Sequence, residues 1–303
     1  MKKSTRAFFQ EADKINDFSL FERLHGYVYM RFPYLYISLA KGDHWLAKWM
    51  RPMISFFGNA FAGKQSEKVQ KQVNLWAESY HGKVVTLDSA IQLVSVEQDI
   101  SLENLEQIIP FEKANDIILR NPDHIAVMEC PCRKGKEDPC KPLDVCLIIG
   151  EPFASFVLEH HPHTSRGITS GEARKILSEE NKRGHVHHAY FKDAILDRFY
   201  AICNCCSCCC GAMQAQRNGT PMIISSGFIC RVDEAKCISC GSCEAICQFQ
   251  AIAMPGQPVI DEDLCMGCGV CVNQCEQGAL ELVLDNTKPD PLFVQDIIEK
   301  SSI

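Results

Sequence analysis

Cys237-Ile-Ser-Cys240-Gly-Ser-Cys243-Glu-Ala-Ile-Cys247 returns 28 residues later as Cys265-Met-Gly-Cys268-Gly-Val-Cys271-Val-Asn-Gln-Cys275. Both stretches obey one rule: three cysteines spaced by two residues, a glycine after the second, and a fourth cysteine after a gap of three. An acidic turn precedes each copy (Asp233-Glu234, then Asp261-Glu262-Asp263). An alanine and a short apolar run follow each (Ala251-Ile252-Ala253, then Ala279-Leu280). This duplication predicts two strand–loop–helix units related by a pseudo-two-fold axis.

The spacing carries a chemistry. A cube of four irons and four sulfides offers four corners, and each takes one thiolate. Three cysteines in a tight loop reach three corners, with Gly241 and Gly269 permitting the bends. The fourth opens a helix that points away, so it serves the cube of the other repeat. The expected sets are Cys237, Cys240, Cys243 and Cys275 for one cluster, and Cys265, Cys268, Cys271 and Cys247 for the other. Zinc ribbons also use C-x-x-C pairs, but a third evenly spaced cysteine and a fourth after three residues, present twice, speak against zinc. Over about 55 residues the stretch resembles the two-cluster bacterial ferredoxins. That resemblance implies two 4Fe–4S clusters and transfer of single electrons. The family usually has proline after the fourth cysteine, where this chain has Gln248 and Glu276. Proline is not a ligand, so the departure bears on the turn and the potential. Gln248 keeps a backbone N–H, and hydrogen bonds to cluster sulfur raise the potential.

Working outward, 303 residues allow two or three domains. Hydrophobic content of 46% and charged content of 23% are those of an ordinary globular protein. Nineteen cysteines are not. A net charge of −7 argues against a nucleic-acid partner, which needs clustered positive charge. It suits docking of redox partner proteins through basic patches. The basic start is interrupted at Glu11, Asp13 and Lys14 before any apolar core of a signal peptide, so a cytoplasmic location is expected. In a reducing cytoplasm, that of an anaerobe above all, cysteines read as metal ligands rather than disulfides. No stretch reaches the length of a membrane span, and the nearest, Tyr27 to Ala40, is cut by Arg31 and Pro33.

The expected class is α+β, with a two-cluster ferredoxin-like module on a mixed α/β cysteine-rich domain. Residues 1–80 read as a helical region with a break near Phe57–Gly63. Its aromatics, from Phe8 through Trp45 and Trp49 to Phe61, allow two readings. One is a helical layer packed on the cluster domain. The other is peripheral or subunit-mediated membrane contact through residues 8–61. Residues 81–228 form the cysteine-rich domain, 229–285 the ferredoxin module, and 286–303 a tail with Pro289, Pro291 and an amphipathic end, Phe293–Ile298. In the second region Val84–Leu87 and Ile91–Val96 fit short strands or a helix start. Ser101 should open a short helix to Ile109, Glu112–Arg120 a second helix, and Ile125–Met128 a buried strand. Thr169-Ser170-Gly171-Glu172 has capping-box spacing, so a helix should run from Glu172 to Asn181.

Eleven cysteines remain. Cys130, Cys132, Cys140, Cys146, Cys203, Cys205, Cys206, Cys208 and Cys209 are candidate ligands of one or two further iron–sulfur clusters, and Cys210 and Cys230 complete the count. Six cysteines in the eight residues 203–210 would oxidise or scavenge metal unless occupied. Adjacent side chains diverge, so the load should be split between Cys130–Cys146 and Cys203–Cys210. Zinc, or dithiol chemistry at Cys205-Cys206 and Cys209-Cys210, are the alternatives. These segments, with Arg166–Thr169 and Gly184–His187, resemble an upstream domain of uncharacterised 4Fe–4S proteins of anaerobes over about 100 residues. Arg133 suits either a cluster sulfide or a carboxylate. His160, His161, His163, His185, His187 and His188 read as solvated loop residues. No G-x-G-x-x-G or phosphate-binding loop occurs. Two functions follow. The first is an electron-transfer subunit relaying single electrons between a redox partner and an upstream cluster or acceptor enzyme. The second is an oxidoreductase that reduces a substrate at a cluster held by the Cys130–Cys146 and Cys203–Cys210 segments.

Overall fold

The computed structural model describes residues 1–16, 18–42, 44, 80–103, 105–110 and 116–301. The expected break at 57–63, with Trp45, Trp49 and Phe61, lies outside the described residues. The chain opens with α1 (Lys3–Ala12), α2 (Leu20–Arg31) and α3 (Pro33–Ala40). Ser19 starts α2 in a full capping box with Glu22. Arg31 ends that helix and Pro33 starts the next at its first position, where a missing N–H costs nothing. Phe8, Phe18, Tyr29 and Met30 are buried, so these helices are a layer on the core. Leu20, Phe21 and Leu24 stay exposed on the outer side.

An eight-stranded sheet forms the centre of the molecule. Its strands are β1 (Tyr80–Val85), β2 (Ile100–Leu102), β3 (Ile117–Glu129), β4 (Asp144–Glu151), β5 (Ser165–Ile168), β6 (Val186–Lys192), β7 (Arg198–Cys205) and β8 (Ile223–Ile224). They run in the order β2-β3-β4-β7-β6-β1-β8, with β5 paired to the far half of β3. Every pairing is antiparallel except β1 with β8. Strand periodicity separates two faces. Ala126, Met128, Cys146, Ile148, Tyr190 and Cys205 point to α1–α3 and to α6 (Phe153–His160). Ile125, Val127, Leu147, Ile149, Ala189 and Ile202 point to α4 (Leu87–Leu93), α7 (Ser170–Lys182) and the C-terminal helix α11 (Val294–Ser301). All the upstream cysteine ligand candidates that are buried in a core belong to the first face.

Several expectations need correction. The helix expected over Ser101–Ile109 is instead β2 followed by a turn in which the N–H of Ile108 and Ile109 reach Leu105 O. Its Ser101 N–H is taken by Ser301 Oγ of the tail, at 3.0 Å. Nor is there a helix at its expected place up to Arg120; Ile117 to Glu129 is one long strand, residues 111–115 being outside the description. Ile117 and Leu119 are buried while Ile118 between them is less so, a period of two that tertiary pairing with β2 imposes over the helical spacing. Ile125–Met128 is its buried second half. Val84 belongs to β1, and Thr86 then caps α4 by accepting from Ser89 N–H. Thr169 caps α7 by accepting from Glu172 N–H at 3.2 Å, while the Glu172 carboxylate turns to Arg166.

The duplicated segment folds as two matching units of strand, loop and short helix. β9 (Phe228–Val232) pairs with β12 (Leu280–Leu284), and β10 (Ile252–Ala253) pairs with β11 (Val259–Ile260). Helices α9 (Ser242–Ile246) and α10 (Val270–Gln274) start one residue before the third cysteine, and the fourth cysteines, Cys247 and Cys275, end these helices instead of opening one as expected. The backbone repeats with the sequence: Ser239, Gly241 and Gln250 have φ of 55°, 79° and 57°, and their counterparts Gly267, Gly269 and Gly278 have 64°, 75° and 57°. Left-handed turns at matched places are what thread three thiolates around one object. The tail is no loose end. Val294 and Ile297 of α11 are buried under the second sheet face, and buried Lys83 donates to Asp290 O at 2.8 Å.

Candidate metal centres

In the module, Cys237, Cys240, Cys243 and Cys275 line one cavity of about 200 Å³, with Cys271 at its inner wall. Backbone N–H groups already aim at the sulfurs: Ser239 N–H at Cys237 Sγ (3.4 Å) and Ala279 N–H at Cys275 Sγ (3.4 Å). The first repeat has the matching group at its own fourth cysteine. Ala251 N–H donates to Cys247 Sγ at 3.3 Å, as Ala279 does 28 residues on. Burial, then the neighbouring thiols of Cys271, Cys247 and Cys265, push the Cys268 thiol upward. Four thiols per set, left-handed turns at matched places and N–H donors toward sulfur fit a 4Fe–4S cube in each half. Cys230 was missed as a neighbour of this site. It sits on β9 with its N–H 3.5 Å from Cys265 Sγ and its thiol 3.6 Å from Cys271 Sγ.

The two halves face different surroundings. Cys240 is exposed, whereas Cys265 and Cys271 are buried. Met266, Cys268 and Ile246 pack against the first-face core that also contains Cys130 and Cys205. Gln248, at the position where proline is usual, accepts a hydrogen bond from Ser207 N–H at 2.8 Å. The departure from proline therefore has a structural use: it joins the module to the middle of the cysteine run.

The ten other cysteines fall into two groups. Cys140, Cys206, Cys208 and Cys209 form the first, with all four sulfurs within 4.8 Å of one another. Cys130, Cys132, Cys146, Cys203, Cys205 and Cys210 form the second, around a cavity of about 70 Å³ whose wall Cys206 and Cys209 of the first group also line. β4 and β7 are neighbours, so Cys146 and Cys203 face each other with sulfurs 3.8 Å apart. The short helix α5 (Pro131–Lys134), begun by Pro131, lifts Cys132 over the chamber. Cys210 comes from the start of α8 (Gly211–Arg217). Tyr29, Met30, Pro33 and Ile37 of the N-terminal helices close the chamber.

Arg133 resolves as the carboxylate alternative. It is 1% exposed, pairs with Glu180 at 2.6 Å, and touches His185 Nδ1 and Asn204 O, both at 3.0 Å. The Glu180 carboxylate beside it raises its pKa against burial, so the charge is held next to Cys130 and Cys206. His163 is exposed in a turn as expected, but the other histidines are a correction. His187 and His188 are fully buried and His185 nearly so, because β6 is an interior strand. His187 binds Asn204 Oδ1 at 2.7 Å. Neither ring nitrogen of His188 has a hydrogen-bond partner among the described residues. His160 and His161 hold Thr5 Oγ1 and Met30 O, both at 2.8 Å, pinning α6 to the N-terminal layer. Among the described residues no helix is long and apolar enough to cross a membrane.

Neither a curated protein nor a solved structure matches this chain. Residues 231–253 and 258–281 match the 4Fe–4S binding domain family, one match per repeat. With the grouped cysteines beside it, this tandem 4Fe–4S binding domain makes the chain an iron–sulfur protein with an electron-transfer role.

Proposed function

We propose that the chain relays single electrons between a redox partner protein and a thiolate-held centre on the sheet domain. When bound, the module's clusters take up and release one electron each. Cys237, Cys240, Cys243 and Cys275 hold the outer one, with exposed Cys240 marking the side a donor would approach. Cys265, Cys268, Cys271 and Cys247 hold the inner one. The observation that carries the reading is the Gln248–Ser207 hydrogen bond, which ties the residue after Cys247 to the backbone between Cys206 and Cys208. Met266 and Cys268 pack against the sheet-domain core at the same seam. The partner's identity is set by docking charge, and the acidic net charge favours a basic surface. A cytoplasmic location belongs to the same reading, and a peripheral contact, if made, would use the exposed Leu20–Leu24 side of α2.

The oxidoreductase reading has one observation in its favour. A cavity of about 310 Å³ lies beside the chamber, with Cys132, Tyr36, Lys41 and Lys192 in its wall. Stepwise reduction of anaerobically prepared protein, followed by EPR, tests the relay. A third signal should fill before or with the module's two. If all added electrons stay on the module, the relay is wrong.

A further inference from the structure

Taking the upstream thiols as iron ligands, as above, we infer that they hold two separate iron–sulfur centres set back to back. The vicinal pairs Cys205-Cys206 and Cys209-Cys210 each give one thiol to either centre. In a strand, successive side chains point to opposite faces, and the doublet at the end of β7 uses this. Cys205 faces the chamber with Cys203, two residues before it, while Cys206, which also lines the chamber wall, sets its sulfur among those of Cys140, Cys208 and Cys209. The second doublet mirrors the first: Cys209 joins the outer four and Cys210, at the first turn of α8, joins the chamber.

The chamber is more than cysteine-rich packing. Its thiols form an unbroken series of contacts, Cys203 to Cys146, Cys146 to Cys130, Cys130 to Cys132, Cys132 to Cys210 and Cys210 to Cys205. Ordinary core packing surrounds a thiol with carbon; here each thiol touches thiols. Tyr190 Oη reaches Cys205 Sγ (4.0 Å) and Cys210 Sγ (3.7 Å). Fully buried His188 lies on the same face of β6, beside Tyr190 and across from Cys203, with both ring nitrogens unpartnered among the described residues. A buried imidazole without a partner costs free energy unless something binds there. Iron with thiolate and imidazole neighbours is the chemistry that satisfies both. Arg133 lies between the two groups and offsets the thiolate charge of each.

Because adjacent Cα atoms are about 3.8 Å apart, two centres bridged by two doublets are in near contact. They should therefore couple magnetically. The decisive comparison is Cys205→Ala against Cys206→Ala in the full chain, purified anaerobically, with iron and sulfide counted and EPR recorded. Each variant should lose roughly four irons, but from different centres: distinct signals disappear, and in the double variant the losses add. The module's EPR serves as the control for folding. Loss of the same signal in both variants means one shared centre and overturns the inference. So does full iron in Cys205→Ala, or zinc in place of iron. If Cys205→Ala does not fold, His188→Gln replaces it: the signal lost from neither Cys206→Ala nor the module should change shape, and an unchanged spectrum overturns the inner centre. A chain that carries both centres yet passes no electrons from the module would sink the relay and leave this inference standing.

Discussion

The ferredoxin module and the sheet domain solve one problem, gathering thiolates, in opposite ways. In the module the first three ligands of a set lie within seven residues, and the loop itself bends them together. On the sheet domain Cys130, Cys146 and Cys203 are brought together only because β3, β4 and β7 are neighbours. The first kind of site is written in spacing. The second is written in strand order, and spacing alone cannot show it. A local site should tolerate damage elsewhere, whereas a site built across strands fails when the sheet does.

The largest effect that would break this contrast is at the one ligand the module does take from afar. Cys275→Ala should remove about four irons, those of the Cys237, Cys240 and Cys243 set, and leave the Cys265 cluster. Iron analysis and loss of inter-cluster coupling in EPR check it. Loss of the Cys265 cluster instead would make the module purely local.

A sharper comparison lies between the two repeats. A Cβ on Gly267 would stand 2.1 Å from Phe228 O, and φ is +64°. Gly267→Ala should cost on the order of 3 kcal/mol or more, strain and clash together. Ser239, at the matching place, already bears a side chain at φ 55°. Ser239→Gly should be neutral or gain up to about 1 kcal/mol. Denaturation midpoints under nitrogen measure both, and equal effects would show that the repeats are not distinguished by their contacts.

The smallest effect concerns the seam between tail and sheet. Burial lowers the Lys83 pKa to about 7, against the opposing pull of Asp290. The unfolded chain holds that proton up to the usual 10.5. Between those values the unfolded state binds more protons, so this contribution to stability rises with pH, by at most about 1.4 kcal/mol per pH unit. Lys83→Met should flatten that rise between pH 7 and 9 in thermal melts. An identical pH slope in wild type and variant would show that Lys83 stays charged when folded.

Much of this was legible. The repeat gave the module's loops and helices because its left-handed turns and its thiol spacing are local facts. Thr169 announced α7, whereas Arg31 and Pro33, read only as interruptions of an apolar stretch, mark the break between α2 and α3. The stretch before Arg120 misled because Ile117 and Ile118 sit at positions that suit a helix, while pairing with β2 and β4 demands a strand. His188 was hidden for a like reason: only the interior place of β6 buries it. Cys210 belonged to the Cys203–Cys210 segment and to the Cys209-Cys210 dithiol alternative, but not to the named ligands. Its partner lay in the strand-to-helix turn, where chain direction and not composition decides which way a thiol points.

The tail has a kinetic meaning. The chain enters the module from β8, which pairs with β1, and leaves it into α11, whose Val294 and Ile297 are buried under the same sheet. The module is thus moored at both ends to one platform, not hung from a flexible leash. A leashed carrier delivers at a rate set by how often it swings into range, and its effective concentration depends on tether length. A carrier moored twice has one separation at all times. Its delivery should be indifferent to viscosity, and only the arrival of the outside partner should feel the solvent.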